Sequence, residues 1–279
     1  MKLIVQLGYS GFGDRIRVLC SCIHYAVKTG VKVLPIWNDE HWSGDFNDTL
    51  NLDDRIAWKG GVSGSTYPGL FAGVDPFNKE VRWSLRKKLL ADTAVPDNKD
   101  GADIFYLSRY IMKPRAYQEG LGFLTPAERV FAKFGELRKS LPDRYACIHI
   151  RNTDKHDPSW HAKLVGFEKA HKNGVVITDS VAVKKTALDM GLVCMSDLPD
   201  ITPDKGVHHI GNRELEASGF DKMRINDGLI MDIITAGLST VFYPFAADPA
   251  LVRYTKSGFS DFIEEGRKHG WLHKHFGEG

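Results

Sequence analysis

Apolar runs and polar breaks alternate along this chain with the spacing of strands and helices in turn. Residues 2–7 form an apolar run of strand length, followed by Gly8-Tyr9-Ser10-Gly11-Phe12-Gly13. Ile16, Leu19, Cys20, Ile23 and Val27 then recur at helical spacing, Gly30 can end that helix, and residues 31–37 are apolar again. Strand, glycine-rich turn, helix and strand make one right-handed βαβ unit. Residues 38–79, rich in Gly, Asp, Asn and Trp, have no clear period and read as loops and short elements. Residues 102–110 predict another strand. Thr125-Pro126-Ala127-Glu128 has the form of a helix start, with Thr125 as cap and Pro126 in the first position. Leu141-Pro142-Asp143 ends that helix and marks the expected domain boundary.

A second series follows, with strands over 145–151, 174–179, 192–196 and 240–244 and helices over 180–190 and 224–238. Such alternation predicts an α/β fold, a parallel sheet with helices on both faces. The expected organisation is two Rossmann-like domains, 1–141 and 142–279. No repeat or low-complexity segment interrupts it. Residues 267–275 form a basic tail that either docks or frays.

The segment with most chemistry begins at residue 145 and reads Tyr-Ala-Cys-Ile-His-Ile-Arg-Asn-Thr-Asp-Lys. Its apolar part suits a strand buried on both faces. Side chains alternate along a strand, so His149 and Arg151 share one side, at the carboxyl end where open α/β sheets gather ligands. A guanidinium fork there suits a phosphate or carboxylate. The plainer reading is a surface loop in which Arg151 pairs with Asp154.

Composition narrows the function classes. A hydrophobic content of 43% and a charged content of 26% are those of a globular protein. A net charge of +2 does not point to nucleic acid; the nearest basic run is Arg82, Arg86, Lys87 and Lys88, the pattern of one solvated helix face. Cys20, Cys22, Cys147 and Cys194 lie in apolar surroundings without zinc spacing, as buried free thiols do. No run approaches the ~18 apolar residues that span a bilayer, and the amino terminus has no cleavable-signal character, so a soluble cytoplasmic protein is expected. Gly8, Gly11 and Gly13 miss the Gly-x-Gly-x-x-Gly spacing, which disfavours an NAD-dependent oxidoreductase but leaves it as an alternative.

The His149-to-Lys155 patch resembles the sugar-nucleotide motif of the GDP-fucose-dependent fucosyltransferases, typically His-Val-Arg-Arg-Thr-Asp-Lys. The likeness is nearest to the α-1,6 branch, the core fucosyltransferase of N-glycans and the rhizobial nodulation enzyme. Three further patches resemble the family in order: Gly11-Phe12-Gly13-Asp14-Arg15 with the strand at 33–37, Val176-Ile177-Thr178-Asp179, and Gly228-Leu229-Ile230-Met231-Asp232-Ile233. The resemblance implies a GT-B architecture, two Rossmann-like domains facing a cleft, and an inverting, metal-independent transfer of fucose or a related sugar from a GDP-sugar to a glycan. It implies no cofactor beyond the donor substrate, and places acceptor recognition in the amino-terminal domain and nucleotide-sugar binding in the carboxyl-terminal one.

On the family pattern, Arg151 binds the β-phosphate and Asp232 accepts the guanine N–H pair, with His149 beside the nucleoside. Lys155 offers a second positive charge, against a solvent-exposed loop lysine. Asp232 sits among apolar helix neighbours, where a carboxylate has to be hydrogen-bonded, and pairing with Arg224 or a backbone cap is the plainer alternative. Thr178 and Asp179 either touch ribose or base, or Asp179 and Ser180 cap the next helix. Asp154 and Asp157 are the candidates for a base on the acceptor hydroxyl, with Asp14 an outside candidate beside Gly11 and Gly13. The chain departs from the pattern at Asn152, where the family has a second arginine, and at Pro244-Phe245-Ala246-Ala247, where it has a serine-rich loop. Ser257-Gly258-Phe259-Ser260 resembles the Ser-Ser-Phe-Ser form of related families. The departures keep open a non-catalytic GDP-sugar- or glycan-binding protein.

Overall fold

The computed structural model describes residues 3–7, 11–37, 42, 44–59, 104–107, 115–153, 157–198, 215, 217, 219–246 and 257–277. The basic run at 82–88, with Asp154, Lys155 and Ala247, lies outside them.

The expected βαβ unit forms at the amino terminus. Strand β1 (Leu3–Leu7) leads through helix α1 (Phe12–Thr29) to strand β2 (Lys32–Ile36), and the strands pair in parallel from Leu3 with Lys32 to Leu7 with Ile36. Ile16, Leu19, Cys20 and Ile23 are buried, whereas Val27, in the last turn, is 45% exposed. Gly30 ends the helix at φ 73°, a left-handed conformation glycine adopts without penalty, and its N–H bonds the Ala26 carbonyl. After a 3-10 turn (Phe46–Asp48) come β3 (Leu50–Leu52) and β4 (Ile104–Leu107), the latter adding in parallel to β1 for the order β2-β1-β4.

Helix α2 (Arg115–Leu121), unforeseen in the pattern, lies close on α1. A Cβ at Gly120 would sit 2.5 Å from the Cys20 Cβ, so this approach needs glycine. His24 and Glu119 join the same helix pair through a 2.5 Å contact. Strand β5 (Leu124–Pro126) pairs with β3, and helix α3 (Glu128–Arg138) starts only after Ala127. Thr125 and Pro126 therefore belong to a strand rather than to the helix start read from sequence. The Asp53 N–H bonding the Phe123 carbonyl at 2.9 Å helps draw them into the pairing. A proline lacks the donor in either setting, so its presence does not distinguish them.

The carboxyl-terminal half builds a second parallel sheet, order β8-β7-β6-β9, from β6 (Ala146–Ile150), β7 (Val175–Thr178), β8 (Val193–Cys194) and β9 (Val241–Tyr243). Helices α4 (Trp160–Ala170), α5 (Val181–Asp189) and α6 (Lys222–Leu238) connect the strands. Every residue of β6 is buried, as the unbroken apolar run predicts. Helix α4 escapes a sequence reading because only Leu164 and Phe167 of its face are buried. Helices α7 (Gly258–Lys268) and α8 (Trp271–Phe276) follow, so the basic tail is docked, with Trp271 and Leu272 buried. Leu272 occupies the space a side chain at Gly237 would take. Arg267 donates to the Ala236, Gly237 and Ser239 carbonyls at 3.1, 3.0 and 2.6 Å, satisfying the carboxyl end of α6.

The chain divides into two compact units, Met1–Asp39 with Gly44–Thr125, and Glu40–Ser43 with Pro126–Gly279. The division precedes the expected boundary after residue 141 because α3 belongs to the second unit. Arg129 and Lys133 on α3 both pair with Asp227 on α6. All four cysteines are buried free thiols, and no helix among the described residues is long and apolar enough to cross a membrane.

Candidate functional site

The ends of β6 and β7 and the start of α7 converge within the second unit. Strand alternation puts His149 and Arg151 on one side of β6. The His149 Nδ1 lies 2.7 Å from the Ser260 Oγ, which accepts the Phe245 N–H at 3.0 Å. Its ring sits against Phe259 and Phe245, with centroids 5.0 and 6.0 Å away. The Arg151 guanidinium reaches Ser257 Oγ at 3.4 Å and Asp179 Oδ2 at 3.5 Å, and its side chain is 14% exposed. Residues separated by more than a hundred positions are thus brought to one strand end.

Asp179 shapes the loop after β6. Its oxygens accept the Asn152 N–H at 2.9 Å and the Thr153 hydroxyl at 2.5 Å. Ser180, not Asp179, caps α5 by accepting the Val183 N–H, while Thr178 Oγ1 accepts the Ser180 N–H at 3.1 Å. The Asn152 Oδ1 is buried without a hydrogen-bond partner among the described residues.

Asp232 lies on α6, one side chain away from the end of β7. Its Oδ2 accepts the Ser196 hydroxyl at 2.7 Å, and Ser196 Oγ in turn accepts the Thr178 N–H at 3.0 Å. Its Oδ1 is buried with no partner among the described residues. The alternative pairing with Arg224 does not form, because Arg224 forks onto Asp197 at 2.6 and 2.9 Å. Burial pushes the Asp232 carboxyl up to about 7; the Ser196 hydrogen bond and the Lys184 charge oppose that shift, and Asp197 adds to it. Ser196 was not singled out from the sequence, where a small polar residue after an apolar strand is the only available signal.

Asp157 has a different role from the one expected. It is buried, its Oδ1 accepts the Ser159 N–H and hydroxyl at 2.9 and 2.6 Å, and its Oδ2 accepts Lys163 Nζ at 2.5 Å. Burial alone would raise its carboxyl; the bonds from Lys163 and Ser159 outweigh it and hold the group below its ordinary range. Both oxygens are committed to starting α4, which makes Asp157 a poor proton acceptor. Beside this pair, a cavity of about 300 Å³ opens between α4 and β6, lined by His149, Phe167, His171, Tyr243 and Phe245.

Gly11, Gly13 and Asp14 belong to the first unit. The Gly11 carbonyl receives the N–H groups of Asp14 and Arg15, so it caps α1, and Asp14 faces Arg17 at 3.5 Å. The buried cation there is Arg15, donating to the Trp37 carbonyl at 3.0 Å, while Trp37 Nε1 donates to Gln6 Oε1 at 2.7 Å.

No family model and no curated protein matches the chain. Solved structures do. NodZ alpha-1,6-fucosyltransferase soaked with GDP-fucose matches at 14% identity and TM-score 0.59, over 95% of this chain and 92% of that one. Another NodZ structure, from Bradyrhizobium, matches at 13% and 0.58, over 94% and 91%. POFUT1 in complex with GDP matches at 10% and 0.53, over 96% and 95%. A variant of Arabidopsis thaliana FUT1 in complex with GDP matches at 12% and 0.52, over 95% and 68%. These structural neighbours are GDP-fucose-dependent fucosyltransferases. At such identities the likeness is one of fold: helices and parallel sheets arranged as in those structures.

Proposed function

We propose that this protein is a glycosyltransferase of GT-B architecture, its second unit binding a GDP-sugar and its first contributing to the carbohydrate acceptor site. The sugar is fucose or a close relative, and transfer proceeds with inversion and without a metal. The observation that carries this reading is the convergence of His149, Arg151, Ser257 and Ser260 at one strand end. It occurs in a fold resembling fucosyltransferase structures that hold GDP or GDP-fucose.

The chemistry asks little covalent work of the protein. As the acceptor oxygen bonds the sugar carbon, the bond from that carbon to the diphosphate breaks and charge builds on the departing oxygens. Preorganised donors stabilise that charge. That role is assigned to Arg151, which contacts Ser257 and Asp179, with Asn152 and Lys155 as its helpers. The Asn152 side chain offers N–H donors without a full charge. His149, fixed by Ser260 and flanked by Phe245 and Phe259, faces the nucleoside. Thr178 and Asp179 shape the pocket wall. Asp232, with one buried oxygen unpaired among the described residues, meets the guanine N–H pair. Asp154 and Asp14 remain the assigned candidates for the base, Asp157 being committed to Lys163.

Calorimetric titration with GDP, GDP-fucose, GDP-mannose, UDP and NAD, with no metal added, tests the reading. GDP and its sugars are expected to bind far more tightly than UDP or NAD. Equal affinity for GDP and UDP removes the assignment. GDP-fucose that binds but is never turned over with any glycan would favour the non-catalytic binding protein, the reading that Asn152 at the phosphate site supports.

A further inference from the structure

Ser196 is fully buried just beyond β8 and joins three other elements. Its Oγ accepts the Thr178 N–H at the end of β7 and lies 2.7 Å from Asp232 Oδ2 on α6, while its carbonyl accepts Lys184 Nζ of α5 at 2.6 Å. A hydroxyl has one proton and two acceptor sites. The backbone N–H can only donate to it, and an ionised carboxylate can only accept from it. The single Ser196 proton is therefore directed to Asp232, and the chain runs one way from Thr178 through Ser196 to the carboxylate.

That direction matters because guanine presents two donors side by side. An ionised carboxylate accepts both. A protonated one turns an oxygen into a donor facing another donor. We propose that Ser196 is a positioning residue that holds Asp232 in the ionised, doubly accepting form that a guanine N–H pair requires. The inference rests on the assignment of Asp232 as the guanine acceptor. Lys184 on α5 favours the same ionised form, while burial and Asp197 work against it, the cysteine neighbours Cys147 on β6 and Cys194 on β8 being kept neutral by burial. With the Asp232 carboxyl at about 7, the balance between these groups falls near neutral pH, and the Ser196 hydrogen bond shifts it toward the ionised form.

The test is GDP affinity from about pH 6 to about pH 8.5 for wild type, Ser196→Ala, Ser196→Cys and Asp232→Asn. The range stays below the ionisation of guanine itself, and titration of the GDP phosphates is common to all four proteins, so ratios to wild type are compared. Ser196→Ala should weaken GDP about tenfold below neutrality for each unit by which the carboxyl rises, the free-energy equivalent of one pKa unit. The deficit should shrink to within about threefold at the alkaline end, where the carboxyl ionises without help. Ser196→Cys, nearly isosteric with a weaker donor, should show the same shape at smaller amplitude. The wild-type profile should contain a component that Asp232→Asn lacks. A deficit of the same factor at every pH makes Ser196 a packing residue and overturns the proposal, as does a wild-type profile with no Asp232-dependent component. Failure of wild type to discriminate GDP from UDP overturns instead the guanine assignment on which the proposal stands.

Discussion

Replacing Asp232 by asparagine should stabilise the ligand-free protein in alkaline solution while weakening its hold on GDP. The carboxyl is raised from 3.8 to about 7 because burial outweighs the Ser196 bond and the Lys184 charge, so ionising it costs more in the fold than in the unfolded chain. A group whose folded pKa is raised contributes stability that is fully present below the unfolded value and is lost as pH rises through the folded one. At about 1.4 kcal/mol per unit, the full penalty of ionising Asp232 in place approaches ~4 kcal/mol. Between about pH 5.5 and about pH 8.5 the same linkage predicts a loss near ~2 kcal/mol, because part of the difference is already spent below that window. Asparagine does not titrate, so the wild-type-minus-variant stability difference should change by that amount across the window, in the variant's favour at high pH. Hydrogen exchange at the amides of β6 and α6 reads the stability of the second unit directly. Saturating GDP should reverse the order, since ligand at a hundredfold its Kd stabilises by ~2.7 kcal/mol and the variant binds it less well. Losing the charge-assisted bonds to guanine should weaken binding by about 1.5–3 kcal/mol. A stability difference that does not move with pH would mean that Asp232 is solvated or compensated, and the desolvated-carboxylate account would be abandoned.

Arg151→Lys should keep the fold but lower transfer activity by a large factor, because a point charge does not reproduce the fork that spans Ser257 and Asp179; near-normal turnover would reduce Arg151 to a loop ion pair. Asn152→Arg should tighten GDP binding, measured by calorimetry, if its side chain turns to the diphosphate, and unchanged affinity in a folded variant would place it facing away. Gly120→Ala should destabilise the first unit by about 1–3 kcal/mol through collision with Cys20, read as a lowered midpoint of chemical denaturation with GDP affinity intact.

The pattern of apolar runs carries the two parallel sheets because buried strands announce themselves locally, β6 being the clearest case. His149 and Arg151 are legible for the same reason, since alternation along one strand needs no knowledge of neighbours. What the sequence does not contain is partners. Asp157 reads as a free acid near a phosphate loop until α4 delivers Lys163 to it, and α4 is hidden by its narrow apolar face. Asp232 reads as pairing with Arg224, eight positions earlier, until Asp197 takes that guanidinium and Ser196 takes the carboxylate. Hydrophobic periodicity registers neither deciding residue: Lys163 is a half-exposed cation six positions on, and Ser196 is a buried hydroxyl thirty-six positions away. Such residues also set protonation: Lys163 and Ser159 hold one acid ionised, whereas desolvation brings the other to the edge of neutrality. Two aspartates of equal intrinsic strength are thus divided, one fastening a helix and the other left, among the described residues, with an oxygen open. The division of labour follows from which donors the fold brings to each carboxylate rather than from either residue's place in a motif.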